Sequence, residues 1–399
     1  MEKRKMTINH LPAYTYNWLH MNAAELADVS VCGEAAVKEE IPEGVQASVL
    51  TVDRAEEEGS PANTAGKEKD AVILTDARAD MGTAILTGAG ADMDALVADA
   101  GVPVHVLTAP AGQRITDDAA RLSFQYANPA SDSGRGQAAD AGAEGSVSAW
   151  RYVLEPDSEM TVVMDYSSSE EASGFAAVQT KVHVQKDAVL HLVQIQRTGS
   201  AFTLINDVGG VCEEGGRVEL IRLILSGKNT FDGCRVALEG EKSSLGVDIG
   251  YLARRDEHLD MNYDAYHTGK KTTSEMNISG VLRDRAFKLF RGTIDFQNGC
   301  SGAVGDELED VMLMDSTVVN QTIPLILCAE EDVVGNHGAT IGRLDDQLLF
   351  YMESRGMNRE EVYEMMARAR IDAVIRKIPD LKTKERLLPT EQSNLSPCE

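Results

Sequence analysis

The sequence predicts a mainly β fold, with a solenoid favoured over a large sandwich, followed by helices near the C-terminus. Three observations lead there. From Trp150 to about residue 329 runs a train of short strand patterns, among them MTVVMDYS, FTLIND, RVELIRLIL, LGVDIGYLA and FRGTIDF. Most alternate apolar and polar residues, and Gly, Asn or Asp breaks them roughly every ten residues. The apolar residues there are mainly small or β-branched, and aromatics make up only 5% of the chain. That mix favours flat, repetitive packing over a core of bulky rings. No clean sequence repeat is visible, so periodicity alone does not choose between solenoid and sandwich.

A chain of 399 residues exceeds one typical compact domain, and two or three units are expected. Its hydrophobic fraction of 43% is ordinary for a globular protein. A net charge of −26 argues against a phosphate-tracking nucleic-acid groove and against an anionic membrane surface. The opening MEKRKMTINH has basic residues but no apolar stretch after them, and no run of about 18 apolar residues occurs. A cytoplasmic setting is expected. The six cysteines (Cys32, Cys212, Cys234, Cys300, Cys328, Cys398) show no CxxC spacing and read mostly as small buried apolar residues.

Before the strand train, Tyr14, Tyr16 and Trp18 read as a docking segment or a plain arm, and Asn22 as the cap of a short helix from Ala23. Residues 53–70 read as a surface loop. Residues 71–108 alternate strand-like runs with a helical pattern, which Asp92 begins and Gly101 ends, so a small α/β unit is expected. Residues 128–147, poor in bulky apolar side chains, read as a flexible loop or boundary.

After the train comes Glu330–Gly356, which holds the most suggestive histidine, His337, between Gly335 and Gly338. The stretch reads as strand, tight glycine turn and helix, with His337 presented at the turn as a ligand or as a purely structural residue. Asp345 or Asp346 caps a helix through QLLFYMES with Gly356 as its stop, and Asn358 with Glu361 matches a capping box for the next. Val362, Met365, Met366 and Ala369 form one face of it, and Pro379 ends the pattern.

The chain shows no Walker motif, no G-x-S-x-G elbow and no HExxH, so no enzyme activity is read from it. A carbohydrate-active β-helix enzyme using Glu330, Glu331 and Asp332 is the alternative from another class; such enzymes are usually secreted.

Three ordered blocks resemble the SufB/SufD family of iron–sulfur cluster assembly proteins. The first is His337–Gly342 (HGATIG), Asp345–Tyr351 (DDQLLFY) and Ser354–Gly356 (SRG). The second is Tyr266 and His267, Thr273 and Ser274, Gly280–Leu282 and Phe290–Ile294 (FRGTI). The third is the opening Asn9, Leu11, Pro12, Thr15, Asn17, Trp18, Leu19 and Asn22. The likeness covers about 150–378 well and 50–147 poorly. Gly338 stands where SufB-type chains carry Glu, and Glu309–Asp315 (EDVMLMD) where they carry a scaffold cysteine, which favours the SufD-like branch. Many SufD-type chains have Cys where this one has Gly335.

The resemblance implies a right-handed parallel β-helix at 148–344, an N-terminal region at 1–147 with docking segment, α/β unit and loop, and a C-terminal helical domain at 345–399. It implies a non-catalytic scaffold subunit that pairs with a SufB-type chain and docks a SufC-type ATPase. A homodimer serving both roles is the alternative. A nascent iron–sulfur cluster would be held transiently at the interface, with no stable cofactor. His337 is the expected ligand from this chain, with Cys328 and Cys300 as weaker candidates better read as structural thiols. His267 reads as a packing or turn residue. Leu348, Tyr351, Arg355 and Gly356 are the expected ATPase contacts.

Overall fold

A computed structural model of the chain describes residues 4–13, 16–51, 85–126 and 145–388. The expected loop at 53–70, residues 128–144 of the one expected at 128–147, the strand-like run at 71–84, Tyr14 and Cys398 lie outside these residues, while residues 145–147 of that second loop belong to a strand instead.

The chain begins with β1 (Arg4–Ile8), a 3-10 turn at Asn17–Leu19, β2 (Ala24–Val29), β3 (Val31–Gly33), β4 (Val37–Glu40) and β5 (Gln46–Leu50). Then come α1 (Ala91–Ala100), β6 (Val104–Ala109) and β7 (Arg114–Tyr126). The helix expected after Asn22 is instead β2, antiparallel to β1. Asn22 turns its amide onto the Ala13 carbonyl, and strand pairing overrides the helix propensity of the Ala–Ala–Glu–Leu run. α1 ends as its sequence predicts: Gly101 takes the left-handed conformation and its N–H returns to the Ala98 carbonyl.

The body is a parallel β-solenoid, as expected. Its strands are β8 (Gly145–Leu154), β9 (Glu159–Ser168), β10 (Ser173–Val184), β11 (Val189–Arg197), β12 (Ala201–Cys212), β13 (Arg217–Ser226) and β14 (Asn229–Leu238). They continue through β15 (Ser244–Ala253), β16 (His258–His267), β17 (Thr273–Leu282), β18 (Phe287–Phe296), β19 (Ala303–Leu313), β20 (Val319–Cys328) and β21 (Val333–Gly342). Even strands stack into one sheet and odd strands into the other. β8–β9 to β20–β21 therefore make seven two-strand coils.

The repeat the sequence conceals is conformational. At one corner of successive coils Asp157, Asp187, Gly215, Lys242, Lys271 and Gly302 all adopt positive φ, between 55° and 77°. Each donates its N–H to a carbonyl of the next coil; Asp187, for example, reaches Glu214 at 2.9 Å and Lys271 reaches Ser301 at 3.0 Å. Asp, Lys and Gly meet the same steric demand, so identity does not repeat while geometry does.

Alternate residues fill the bore. Its core is a continuous column of Val, Leu, Ile, Met, Phe and Tyr side chains from Leu107 to Val311. One polar layer interrupts the middle: the fully buried pair Arg222 and Asp232, at 2.7 Å, joined by Asn206 and Tyr263. Every member has a partner, which is what makes such a layer tolerable.

The outer faces are covered by helix and arm. After β21 come α2 (Asp346–Ser354), α3 (Arg359–Ile375) and α4 (Leu381–Leu387). Ile371, Val374, Ile375 and Ile378 pack on Val163, Val193, Ile195, Ile221 and Leu223 of the odd-strand sheet. The N-terminal arm crosses the even-strand sheet, where Leu11, Tyr16 and Met21 pack with Leu289 and Ile323. Trp18 takes no part in this and is 78% exposed.

Candidate functional site

Among the described residues the last coil, β20 and β21, has a partner strand on one side only. Val319, Val334 and Ile341 are exposed on it, and Leu308 beside it. Two long strands thus present unpaired backbone groups with apolar side chains, an arrangement that sheet proteins otherwise avoid.

His337 lies in the middle of this edge. The glycine turn expected around it is not there: residues 333–342 form a continuous strand in unbroken register with β19. Gly335 is small for another reason. A Cβ at that position would meet Phe296 and Ile326, side chains of the opposite sheet, so Gly335 faces the bore. His337, two residues on, shares that face. It is exposed because no further coil covers it.

Beneath His337 in the ladder stands Glu307, and beneath Ala339 stands Glu309. Glu309 is fully buried and paired with the fully buried Lys288. The ammonium also donates to Asn320 Oδ1 at 3.0 Å and Thr322 Oγ1 at 2.9 Å, and the Thr322 hydroxyl donates to Glu309 at 2.7 Å. Burial pulls the Lys288 pKa below its ordinary value, with Glu309 pulling it back. Burial, reinforced by the neighbouring Glu309, pushes Glu307 up to about 7. Sequence reasoning missed these residues, although a signal exists. Lys288 alternates with Phe290, and Glu307 and Glu309 alternate with Gly305 and Val311, so charges occupy positions that the period of two assigns to the bore.

The two cysteines lie elsewhere. Cys300 is fully buried in the corner between β18 and β19, and burial, with Glu330 adding to it, raises its thiol pKa. Cys328 is exposed at the end of β20, its thiol donating to the Glu330 carbonyl at 3.0 Å. His337 comes four residues into β21, so roughly 13 Å of strand separates the imidazole from that corner. Among the described residues no three His, Cys, Asp or Glu side chains converge to hold a metal ion. His267 is a buried structural residue: its ring nitrogens meet Thr272 and Ser274 hydroxyls at 2.8 and 2.9 Å, and burial lowers its pKa to about 4.

α2 supplies a second exposed surface. Asp345 caps it by accepting from Gln347 and Leu348 N–H groups. Leu348, Phe350 and Tyr351 are exposed, and the Arg355 guanidinium lies 5.2 Å from the Tyr351 ring centre. Gly356 takes φ 95° where the chain turns into α3. Asn358 and Glu361 then form the expected capping box.

The SufBD core domain of SUF system FeS cluster assembly matches residues 137–370, more than half of the chain and all of the solenoid from β8 onward. The chain belongs to the SufBD family. Similar curated proteins include the iron–sulfur cluster assembly protein SufD of Escherichia coli (strain K12), 23% identical over 252 residues, 62% of this chain and 59% of that protein. SufD of Bacillus subtilis (strain 168) is 21% identical over 238 residues, 59% of this chain and 54% of the relative. An iron–sulfur cluster assembly SufBD family protein of Mycobacterium tuberculosis is 26% identical over 167 residues, 42% of this chain but 20% of that protein. Alignment with this SufBD protein thus spans between a fifth and about three fifths of these relatives' own lengths. Among the described residues, no helix is long and apolar enough to cross a membrane.

Proposed function

We propose that this chain is a SufD-like scaffold subunit of an iron–sulfur cluster assembly complex. The observation that carries the reading is the bare last coil: two edge strands with apolar side chains, and at their centre an exposed imidazole on the bore side. An edge of that kind calls for another strand, and a SufB-type chain is the proposed partner. Residues 148–344 act as the pairing body and 345–399 as the handle for a SufC-type ATPase, with Leu348, Tyr351 and Arg355 making contact. Gly356 contributes by its backbone turn.

The chain itself is non-catalytic in this reading, and its setting is the cytoplasm. The cluster is cargo, assembled transiently and then passed on. His337 offers one neutral nitrogen donor, and a partner's thiolate or carboxylate completes the set. ATP-driven closure of the ATPase subunits pulls on the helices, and α3 transmits the pull because its apolar face is seated on the odd-strand sheet. Cys300 and Cys328 serve as structural thiols.

Charge placed on the edge tests the pairing. Val334→Lys and Ile341→Lys together should abolish co-purification with a SufB-type chain while leaving the circular dichroism spectrum unchanged. Retained pairing would move the interface off this edge. Self-association of the wild type, lost in the same variant, would favour the homodimer.

A further inference from the structure

The N-terminal arm carries a tryptophan that does nothing for this chain's own fold. Tyr16 and Met21 pack with Leu289 and Ile323, but Trp18 between them is 78% exposed and Leu19 beside it 43%. Among the described residues the indole has no stacked ring and its N–H has no acceptor. The turn that carries it is nonetheless braced. Leu19 N–H donates to the Tyr16 carbonyl at 3.1 Å, and Leu11 N–H to the Asn22 carbonyl at 2.8 Å. The Asn22 amide donates to the Ala13 carbonyl, and Arg291 fixes the Met21 carbonyl at 2.6 Å. Apolar area held in water on a rigid support gains free energy when covered and loses little entropy in doing so.

The position of the turn identifies what covers it. Ile323, under the turn, belongs to β20, and Leu19 and Met21 line one groove with Gln321 of the same strand. The turn therefore stands on the outer face of the last coil, where β20 has, among the described residues, no strand on its far side. Val319 of that strand is exposed as well. A strand added there would lie about 4.8 Å beyond β20 and bring its own outer face alongside Trp18. An anionic membrane, the other surface that takes up exposed tryptophans, is disfavoured by the net charge of −26.

We infer that Trp18, with Leu19, is an anchor for the chain that pairs on the last coil. The indole enters an apolar recess on the outer sheet face of that partner, and an acceptor in the recess takes its N–H. Pairing then has two parts. The backbone ladder at the edge sets register, and the indole beside it supplies affinity and selects the partner by the shape of its recess. This deepens the proposed scaffold role and rests on pairing with a SufB-type chain through β20 and β21.

Trp18 reports its own burial. The chain has two tryptophans and Trp150 is 1% exposed, so acrylamide quenches Trp18 selectively. The full chain is titrated with a SufB-type chain while emission and quenching are followed, with Trp18→Phe as the blank for the partner's own tryptophans. On pairing, the wild-type signal above that blank should move to shorter wavelength and become protected from acrylamide. Trp18→Ala should weaken pairing about tenfold or more, while Lys186→Ala at an exposed corner stays within twofold. The thermal midpoint of Trp18→Ala should stay within about a degree of wild type, because the side chain it removes is exposed. Pairing by Trp18→Ala within twofold of wild type, or unchanged emission in a complex that forms, would overturn the inference and leave edge pairing standing. No complex with the wild type would remove the pairing reading and the inference together. A blue shift of the chain alone as its concentration rises would make a second copy the occupant and overturn the choice of partner.

Discussion

Arg291 closes on both carboxylate oxygens of Asp260, at 2.7 and 3.1 Å, and all of this is buried on the outer face of the even-strand sheet. The same guanidinium donates to the Met21 carbonyl at 2.6 Å, and the Asn9 amide reaches Asp260 at 2.7 Å. The pair therefore clasps the N-terminal arm to the solenoid. Arg291→Ala strands a buried carboxylate and should cost about 3–5 kcal/mol. Urea unfolding measures the loss, and limited proteolysis should show faster cleavage in the first thirty or so residues. A cost under about 1 kcal/mol would mean that the arm is held by its apolar contacts alone.

The second prediction concerns acid. The buried His267 is held near pKa 4, against about 6.5 in an unfolded chain. Between those values the unfolded state takes up a proton that the folded state refuses. The contribution of His267 to stability is therefore complete above about pH 6.5 and declines as pH falls toward 4. The raised pKa values of Glu257 and Asp264 act in the opposite direction, so the comparison must be with a variant rather than absolute. His267→Asn loses packing against Phe296 but not stability to acid. The gap between wild type and variant should narrow by roughly 2 kcal/mol from pH 7 to pH 5. A constant gap would show the ring to be solvated.

Much of this architecture is legible in the sequence, and the failures have physical reasons. The strand patterns MTVVMDYS, FTLIND, RVELIRLIL, LGVDIGYLA and FRGTIDF fall on β9, β12, β13, β15 and β18 because each alternates bore-facing and outward residues. The caps at Asp345 and Asn358 are read correctly because capping is a local contest, decided within four residues. The coil repeat is hidden because left-handed corners accept Asp, Lys and Gly alike. His337 is placed in a turn by its flanking glycines, yet Gly335 is small to clear Phe296 and Ile326 across the bore. That reason exists only in three dimensions. The same is true of Asn22, whose neighbours favour helix until β1 offers them a ladder.

The α2 surface yields a third prediction. Leu348→Ala with Tyr351→Ala removes exposed apolar area and the ring beneath Arg355, without touching the buried Leu349. Binding to a SufC-type ATPase should fall at least tenfold while the thermal midpoint stays within about a degree. Gly356→Ala acts differently. At φ 95° a side chain is strained, so about 1 kcal/mol of local stability should go, visible as faster hydrogen exchange at the α2–α3 junction. Undiminished binding by the double variant would remove α2 from the handle.

The central claim is that His337 belongs to a nascent-cluster site on the uncovered edge. Anaerobic co-purification of this chain with a SufB-type chain and a SufC-type ATPase tests it most directly, comparing wild type with His337→Ala for iron and sulfide content. His337 is exposed and its strand is held by backbone register, so the complex should form equally in both. Iron and sulfide loading should collapse in the variant. Loading equal to wild type would contradict the account and leave His337 an edge-strand residue without a part in assembly.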